Sequence, residues 1–345
     1  MAGLARVALL VIVGAGATAL LDRAATAEVL PVITVCPADA TYAECDYSSL
    51  NKAAREAPAG SMVLVGPGIY REGVIVRADR VTIRGVRGAH IKDAAASGKA
   101  AIVVRGDDVT IETIECSQIA VPSGNGACIR AEGMNLNVRG VYFHDSQSGI
   151  LGGRGRLVVE DSRLERLGGD IATDIGRAHA IYAGKRVDEM IVRRSRILSS
   201  KEEGHGIKSR ARRTVIEGNV IASLDGRDSR LIDVPNGGVV VIRGNVLEKG
   251  PNSMNPDVVG IGLERTGDPK RDHADNSAVI ADNTIIFDRE QNIRLFRVRG
   301  VPPPKFVGNT IVGGEAFRGL ASRWFPDRAT AGLPAYPRLP DPPKP

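Results

Sequence analysis

The chain has 345 residues, and its 46 Lys and Arg against 40 Asp and Glu give a formal charge of +6. Such a mild excess does not indicate a nucleic-acid partner, for which a stronger and more concentrated positive field is typical. With six Phe, six Tyr and one Trp in this length, we expect a core built mainly from aliphatic side chains.

Residues 1–27 have the pattern of a secretory signal peptide. Arg6 precedes the apolar run VALLVIVGAGATAL, and Ala25 to Ala27 supply a small-x-small cleavage signal. We therefore expect cleavage after Ala27 and a secreted or periplasmic protein, with an uncleaved anchor as the alternative. No later segment has the ~20 apolar residues that a membrane helix needs. We expect the mature protein to be a monomer without a membrane span.

Four cysteines follow this segment: Cys36, Cys45, Cys116 and Cys128. An even count in an exported protein indicates two disulfides. Of the three possible connectivities, the simplest pairs neighbours, Cys36 with Cys45 and Cys116 with Cys128. The alternative is four buried free thiols, which an oxidising compartment disfavours.

Residues 28–60 are predicted to cap a repetitive domain. The segment DYSSLNKAAREAPAG (46–60) predicts a helix with Ser48 or Ser49 as its N-cap and Gly60 beyond its end. Strands begin in residues 61–76 and, with the repeats that follow, define a domain over 61–315. The last segment, 316–345, is rich in proline and predicts an extended or disordered tail.

An alternating β-branched segment followed by a short polar corner recurs through the domain. Variable spacing between constant corners excludes a propeller with fixed blades. It fits a coil of roughly 22 residues per turn with about nine countable turns. Asn at a corner tolerates left-handed backbone, and its amide can bond to the next turn. The aligned corners are Gly140, Ser162, Ser195, Asn219, Asn245, Asn283 and Asn309.

The short helix, the segments LVGPGIYREGVIV and VTIRGVRGAHI, and the Asn corners resemble the right-handed parallel β-helix proteins of the pectate-lyase superfamily. This resemblance implies an all-β solenoid over roughly residues 45 to 315, with an N-terminal capping helix. The superfamily includes polysaccharide lyases, hydrolases, uronan epimerases and non-catalytic tail-spike or adhesin-like proteins. The fold alone therefore does not select an activity.

Five tetrapeptides with Ile in the third position align successive turns: ACIR (127–130), SGIL (148–151), HAIY (179–182), HGIK (205–208) and RLID (230–233). If each Ile points inward, the next residue points outward, because side chains alternate along a strand. Arg210 would share the outward face. His179 and His205 also align, and the pattern leaves them either inward or in the corner before the strand. The predicted outward column is Arg130, Leu151, Tyr182, Lys208 and Asp233.

Basic residues are concentrated in the same region of the sequence. Residues 177–213 contain eleven Lys and Arg against four acids, a local balance of +7. A groove with this charge would attract an acidic polymer. We therefore expect an acidic polysaccharide as the partner.

The outward column contains the residue types that β-elimination from a uronate requires. A cation such as Lys208 can offset the developing enolate charge, and Arg210 can bind the sugar carboxylate in bidentate fashion. Tyr182, beside Lys208, can act as base or acid, and His205 or His179 can fill the other role. No redox cofactor is expected to be essential.

Arg130, Asp233 and Arg212 are the predicted substrate-binding residues. Two of these predictions have a structural alternative. Lys208 and Asp233 are equally explained as an ion pair between turns. Arg212 is explained as a solvated charge that guards a strand edge against pairing.

Other activities stay open alongside the lyase. Proton removal without bond cleavage would make the same site an epimerase, and a hydrolase would need two carboxylates across the groove. A non-catalytic glycan-binding protein would need no catalytic set, and stacked His179 and His205 could be hydrogen-bonded structural residues. Asp170 and Asp174 could hold calcium, although two Asp in a loop are more often turn formers.

Overall fold

The polypeptide winds into a stack of short strands, as a computed structural model describes it for residues 31–41, 44–169 and 178–343. The predicted signal peptide, residues 1–27, lies outside the described residues. The described chain contains one α-helix, α1 (Leu50–Glu56), one 3-10 helix (Glu315–Leu320) and thirty-one strands. None of its helices is long and apolar enough to cross a membrane.

The strands are short, and most have three to five residues. The first ten are β1 Val32–Val35, β2 Met62–Val65, β3 Gly68–Tyr70, β4 Val74–Val76, β5 Thr82–Gly85, β6 Ala89–Lys92, β7 Ala100–Val104, β8 Thr110–Glu112, β9 Glu115–Ser117 and β10 Ala127–Ala131. The next eleven are β11 Leu136–Arg139, β12 Tyr142–His144, β13 Ser148–Gly152, β14 Gly155–Glu160, β15 Arg163–Glu165, β16 Ile181–Ala183, β17 Val187–Arg193, β18 Arg196–Leu198, β19 Ile207–Ser209, β20 Arg213–Glu217 and β21 Val220–Ala222. The last ten are β22 Ile232–Val234, β23 Val239–Arg243, β24 Val246–Lys249, β25 Asp257–Ile261, β26 Ser277–Ala281, β27 Thr284–Phe287, β28 Arg294–Val298, β29 Lys305–Val307, β30 Thr310–Val312 and β31 Arg323–Phe325.

These strands form three parallel sheets, and each full turn of the coil adds one strand to every sheet. Sheet A has eleven strands, β1-β2-β5-β8-β11-β14-β17-β20-β23-β26-β29. Sheet B also has eleven, β3-β6-β9-β12-β15-β18-β21-β24-β27-β30-β31. Sheet C has nine, β4-β7-β10-β13-β16-β19-β22-β25-β28. The chain is therefore the predicted all-β, right-handed parallel β-helix, and the nine strands of sheet C match the predicted number of turns.

Aliphatic side chains fill the interior of the coil. In sheet C, Ile150, Ile181 and Ile207 pair from turn to turn and are fully buried. Burying one such side chain contributes roughly 1.5–3 kcal/mol. A slip of one residue would turn the whole column outward, so the buried Ile ladder fixes the register of the strands.

The N-terminal end is capped as predicted. Ser49 is the N-cap of α1, and its hydroxyl accepts a hydrogen bond from the backbone N–H of Lys52 at 3.1 Å. The helix buries Leu50, Ala53 and Ala54 against the first turn of the coil. An apolar helical face thus covers the core where no further turn can do so.

Both predicted disulfides are present. Cys36 is bonded to Cys45 beside the capping helix, and Cys116 is bonded to Cys128. Cys116 lies in β9 of sheet B and Cys128 in β10 of sheet C, and both are fully buried. The second disulfide therefore links two sheets within the core.

A ladder of buried side chains forms the corner between sheets A and B. The Asn245 Nδ2 donates to Asn283 Oδ1 and to Ile216 O, both at 2.9 Å. Its Oδ1 accepts from the backbone N–H and Nδ2 of Asn219, at 2.9 and 3.0 Å. Asn283 and Asn309 repeat the pattern, so the predicted amide bonding between turns is confirmed.

The left-handed residue of this corner lies one position earlier than predicted. Gly218 and Gly244, which precede the Asn residues, have φ of 62°, whereas the Asn residues do not have positive φ. Gly140, with φ of 60°, aligns with these preceding residues and not with the Asn ladder. Because the Asn amide must point into the corner to reach the next turn, the preceding residue makes the bend.

The segment after residue 315 differs from the predicted extended or disordered tail. β31 extends sheet B by pairing with β30. Phe325 and Leu333 then pack against a buried cluster that includes Val246, on the outer face of that sheet. Arg328 fixes the segment through an ion pair with Asp288 at 2.5 Å. Proline content is consistent with the absence of helix and strand from the described residues after β31, but it did not predict this packing.

Candidate functional site

The predicted outward column is present on sheet C. Arg130 pairs with Leu151, and Leu151 pairs with Tyr182 on the next turn. Tyr182 pairs with Lys208, and Lys208 pairs with Asp233. The five residues therefore follow one another in the predicted order, while the Ile residues beside them face the core.

An open cleft of about 320 Å³ lies on this face of sheet C. Strands β10, β13, β16 and β19 each contribute one residue of the column to its lining, so the cleft runs along the stacking direction. With neighbouring strands ~4.8 Å apart, these four residues span roughly 14 Å along the coil. The lining residues are Asn125, Arg130, Leu151, His179, Tyr182 and Lys208.

Lys208 and Arg210 together hold one carboxylate beside the cleft. Lys208 Nζ donates to Glu264 Oε1 at 2.9 Å, and Arg210 Nη2 donates to Glu264 Oε2 at 2.5 Å. Arg210 also donates to Asn236 Oδ1, and its Nε donates to Tyr182 Oη at 2.9 Å. Burial alone would raise the pKa of Glu264, but hydrogen bonds from Lys208 and Arg210 lower this pKa to about 2. We call this pair of cations the Lys208–Arg210 clamp.

Sequence reasoning missed Glu264, which lies in the long connection between β25 and β26. The Glu264 N–H donates to Pro235 O at 3.0 Å. Arg265 donates to the backbone oxygens of Asn236 and His273, at 3.1 and 2.9 Å. No local pattern marks Glu264, because 56 residues separate it from Lys208 and only the folded loop brings them together.

The two aligned histidines form a stacked pair in the corner before sheet C. Their rings are 5.0 Å apart with an interplanar angle of 13°. The Nδ1 of His179 accepts from the backbone N–H of His205 at 3.1 Å. The Nδ1 of His205 accepts in turn from the N–H of Arg230, also at 3.1 Å. Of the two positions that the sequence left open for these rings, the structure has the one in the corner before the strand. The rings are stacked and hydrogen-bonded there, as in the alternative of structural histidines.

Burial keeps both imidazoles neutral. It lowers the pKa of His179 to about 3 and the pKa of His205 well below its ordinary value, and the charge of Lys208 acts in the same direction. Because each Nδ1 accepts a backbone hydrogen bond, the proton lies on Nε2. His179 lines the cleft, whereas His205 is not among its lining residues. Neither ring has a free lone pair with which to take a proton.

The three predicted substrate-binding residues lie in different environments. Arg130 lines the cleft and forms no ion pair with any described residue. Asp233 is only 1% exposed and does not line the cleft. Its Oδ1 lies 3.5 Å from Nη1 of Arg230. Its Oδ2 lies 3.6 Å from Nε2 of His205 and 3.9 Å from Nζ of Lys208. This position suits the alternative of an ion pair between Lys208 and Asp233 on neighbouring turns, and a substrate contact of Asp233 stays a prediction.

Arg212 is exposed in the turn between β19 and β20, after the end of the strand that carries Lys208. It is not among the residues that line the cleft. The predicted calcium candidates, Asp170 and Asp174, lie outside the described residues. A calcium site there therefore stays a prediction.

The positive charge of residues 177–213 is divided among different faces. Arg193 and Arg194 pair with Glu160 at 2.7 and 2.8 Å, and Arg213 pairs with Glu189 at 3.0 Å. These pairs lie on sheet A or at its end, because their residues belong to β14, β17 and β20 or to the turn after β17. The local balance counted from sequence therefore overstates the charge that faces the cleft.

The fold and the cleft together define a right-handed parallel β-helix with a polar, cation-bearing groove on one sheet. Among solved structures, the chain is similar to an alginate lyase from Paenibacillus sp. str. FPU-7, with a TM-score of 0.62 and 15% identity over 86% of this chain and 96% of that one. At 15% identity, this similarity shows a shared fold alone.

Two pectin methylesterase structures are also similar, at 13% identity. One, from Aspergillus niger, has a TM-score of 0.43 and covers 84% of this chain and 94% of its own. The other, in complex with a hexasaccharide, has a TM-score of 0.46 and covers 89% and 98%. No protein-family model and no curated protein sequence matches the chain.

Proposed function

We propose that the protein is a polysaccharide lyase that cleaves a uronate-containing glycan by β-elimination. The observation that carries this proposal is the Lys208–Arg210 clamp, which already holds the carboxylate of Glu264 by two points. A uronate carboxylate offers the same two oxygens. The hydroxyl of Tyr182 is joined to the clamp through the Nε of Arg210, so a proton-transfer group lies next to the carboxylate position.

In this proposal the clamp stabilises charge that develops on the sugar carboxylate. Removing the proton from the neighbouring carbon spreads negative charge onto the carboxylate oxygens, and fixed cations offset it. Arg210 supplies the planar donors that suit a carboxylate, and Lys208 supplies a point charge. Arg130, which has no ionic partner among the described residues, is proposed to bind the carboxylate of an adjacent sugar.

Tyr182 is proposed to move the proton. Its oxygen, held in place by the hydrogen bond from Arg210 Nε, takes the proton from the carbon beside the carboxylate as its own hydroxyl proton moves to the glycosidic oxygen. The electron pair left behind forms a carbon–carbon double bond as the bond to the glycosidic oxygen breaks. The glycosidic oxygen leaves with its electron pair and with the proton given by Tyr182, whose hydroxyl is restored by the proton taken from the carbon.

The histidines are proposed to shape the site and not to exchange protons. Neutral His179 offers its Nε2–H to the cleft as a hydrogen-bond donor, and the stacked His205 holds its ring in position. This assignment departs from the predicted acid or base role, because both Nδ1 atoms are occupied by backbone N–H groups.

A non-catalytic glycan-binding protein is the second candidate function, and Glu264 is the observation that favours it. Its carboxylate satisfies both cations of the clamp, as in a permanent structural network. In the lyase proposal, by contrast, the substrate carboxylate displaces Glu264, whose side chain is 38% exposed. An epimerase would use the same proton transfer without bond cleavage.

Incubation of the purified protein with a panel of uronate polysaccharides, with and without calcium, tests the proposal. Alginate is the first polymer to try, since an alginate lyase shares the fold. The double bond formed by elimination is conjugated with the carboxylate, so ultraviolet absorbance reports the product. Lys208→Ala and Arg210→Ala should abolish the signal. Lys185→Ala is the matched control, because Lys185 is an exposed lysine in the turn after β16.

Absorbance that rises for the parent and the control but not for the clamp variants would support the lyase. A flat trace with retained glycan binding would support the binding protein. Exchange of the sugar proton with solvent deuterium, without absorbance, would instead indicate an epimerase.

A further inference from the structure

A second group of polar side chains lies on the outer face of sheet B, away from the cleft. His90 in β6, Glu115 in β9 and His144 in β12 come from three successive turns. His90 pairs with Glu115, and Glu115 pairs with Tyr142, two residues before His144. Because alternate residues of a strand share a face, the three side chains meet on one surface. We call this group the sheet B triad.

The ligand atoms of the sheet B triad have the spacing of a metal site. Nδ1 of His90 and Nε2 of His144 lie 3.5 and 3.2 Å from the same oxygen, Oε1 of Glu115. Ligands about 2.0–2.1 Å from a tetrahedral zinc ion lie roughly 3.3 Å from one another. All three ligand atoms are within 4.8 Å of one another, so a small side-chain rotation would complete the geometry.

Neighbouring groups orient both imidazoles toward Glu115. The outer nitrogen of His144, Nδ1, is 2.6 Å from Asp145 Oδ2, and the outer nitrogen of His90, Nε2, is 2.8 Å from Ser117 Oγ. An aspartate accepts, so Nδ1 of His144 carries a proton, and the Ser117 oxygen can accept from His90 in the same way. Arg166 holds Asp145 in place through two hydrogen bonds of 2.9 Å. Carboxylates and other acceptors behind metal-binding histidines have this arrangement.

This arrangement places hydrogen-bond acceptors of His90, His144 and Glu115 opposite one another. With the protons on the outer nitrogens, the inner nitrogens of His90 and His144 direct lone pairs toward the carboxylate of Glu115. Such a contact is repulsive unless a cation or an added proton lies between the atoms. We propose that the sheet B triad binds a divalent transition-metal ion, with zinc as the expected ion.

The donor set determines which ions fit. Two imidazoles and one carboxylate match zinc and related late first-row metals, whereas calcium prefers an all-oxygen shell. The side chains of His90, Glu115 and His144 are 14%, 34% and 15% exposed, so an ion can enter from solvent. Three protein ligands leave a fourth position for water. Metal binding at this site would also join three turns of the coil.

Zinc binding by the metal-free protein, purified without a polyhistidine tag, tests this inference. Competition with a chromophoric zinc chelator gives affinity and stoichiometry, and cobalt substitution gives a visible spectrum that reports the coordination. We expect one ion per chain, no binding of calcium at this site, and loss of binding in Glu115→Gln and His144→Gln. Asp145→Asn, a positioning variant, should weaken binding by about 10–100-fold.

His273→Gln is the matched control, because it removes one imidazole outside the triad and should bind zinc like the parent. Circular dichroism of each variant checks that the fold is retained. Absence of stoichiometric zinc uptake by the parent would overturn the inference and leave a protonated histidine–glutamate contact as the explanation. Equal uptake by the parent and by folded Glu115→Gln and His144→Gln would overturn it as well, since the ion would then lie elsewhere. Neither result depends on lyase activity.

Discussion

Replacing Asn245 by Ala removes the centre of the ladder between sheets A and B. The Asn245 side chain makes four hydrogen bonds, two as donor to Ile216 O and Asn283 Oδ1 and two as acceptor from Asn219. Alanine would leave the buried backbone N–H of Asn219 and one of its Nδ2 protons without a partner. A buried polar group left unsatisfied costs about 1–3 kcal/mol, so two unpaired donors predict a loss of roughly 2–6 kcal/mol.

Urea denaturation followed by circular dichroism measures this loss as a shift of the unfolding midpoint at constant slope. Asn252→Ala is the control, because Asn252 is exposed and makes one long hydrogen bond, of 3.4 Å. Its expected effect is within about 0.5 kcal/mol. A loss below about 1 kcal/mol for Asn245→Ala would refute the view that the ladder bonds are needed to satisfy the corner.

Three further changes have defined outcomes. Burial, followed by the neighbouring Asp288, raises the pKa of Glu248 from 4.5 to about 8. The contribution of Glu248 to the free energy of unfolding is therefore fully present below pH 4.5 and is lost as the pH rises through 8. The loss is about 1.4 kcal/mol for each unit by which the pKa is raised. Glu248→Gln should flatten this part of the curve of unfolding free energy against pH, and an unchanged slope would contradict the assignment. Glu264→Gln should lower the KM for a uronate polymer, because a competing carboxylate is removed; a higher KM would mean instead that Glu264 organises the clamp. Replacing Cys116 and Cys128 by Ser should cost about 2–4 kcal/mol of stability, measured by thermal unfolding, and an unchanged Tm would show that packing alone holds the two sheets together.

The fold was predictable because its signals are local and repeated. Alternation of Val and Ile defines strands, and the Ile of HAIY and HGIK sets the register, since any slip would expose it. That register correctly placed Tyr182 next to Lys208. The Asn ladder was also predictable from the sequence, although the residue with left-handed backbone comes one position before each Asn and is not the Asn itself.

The parts of the site that were missed depend on loops and on long-range contacts. Glu264 meets Lys208 only through the folded connection after β25, and no nearby pattern marks it. His205 follows the period of the strands, yet it lies in a corner where its Nδ1 accepts a backbone N–H. A count of charges along the chain also cannot tell which face carries them, as the pairing of Arg213 with Glu189 shows.

The rate of unsaturated product formation by Tyr182→Phe, with polymer affinity measured on the same preparation, is the most direct test of the proposed elimination. This change removes one hydroxyl and leaves the Lys208–Arg210 clamp and its charge in place. General acid–base groups typically contribute 10²–10⁴-fold to a rate. We therefore expect a rate at least about 100-fold lower with polymer affinity retained. A rate equal to that of the parent would contradict the assignment of Tyr182 and, with it, the proposed elimination at this cleft.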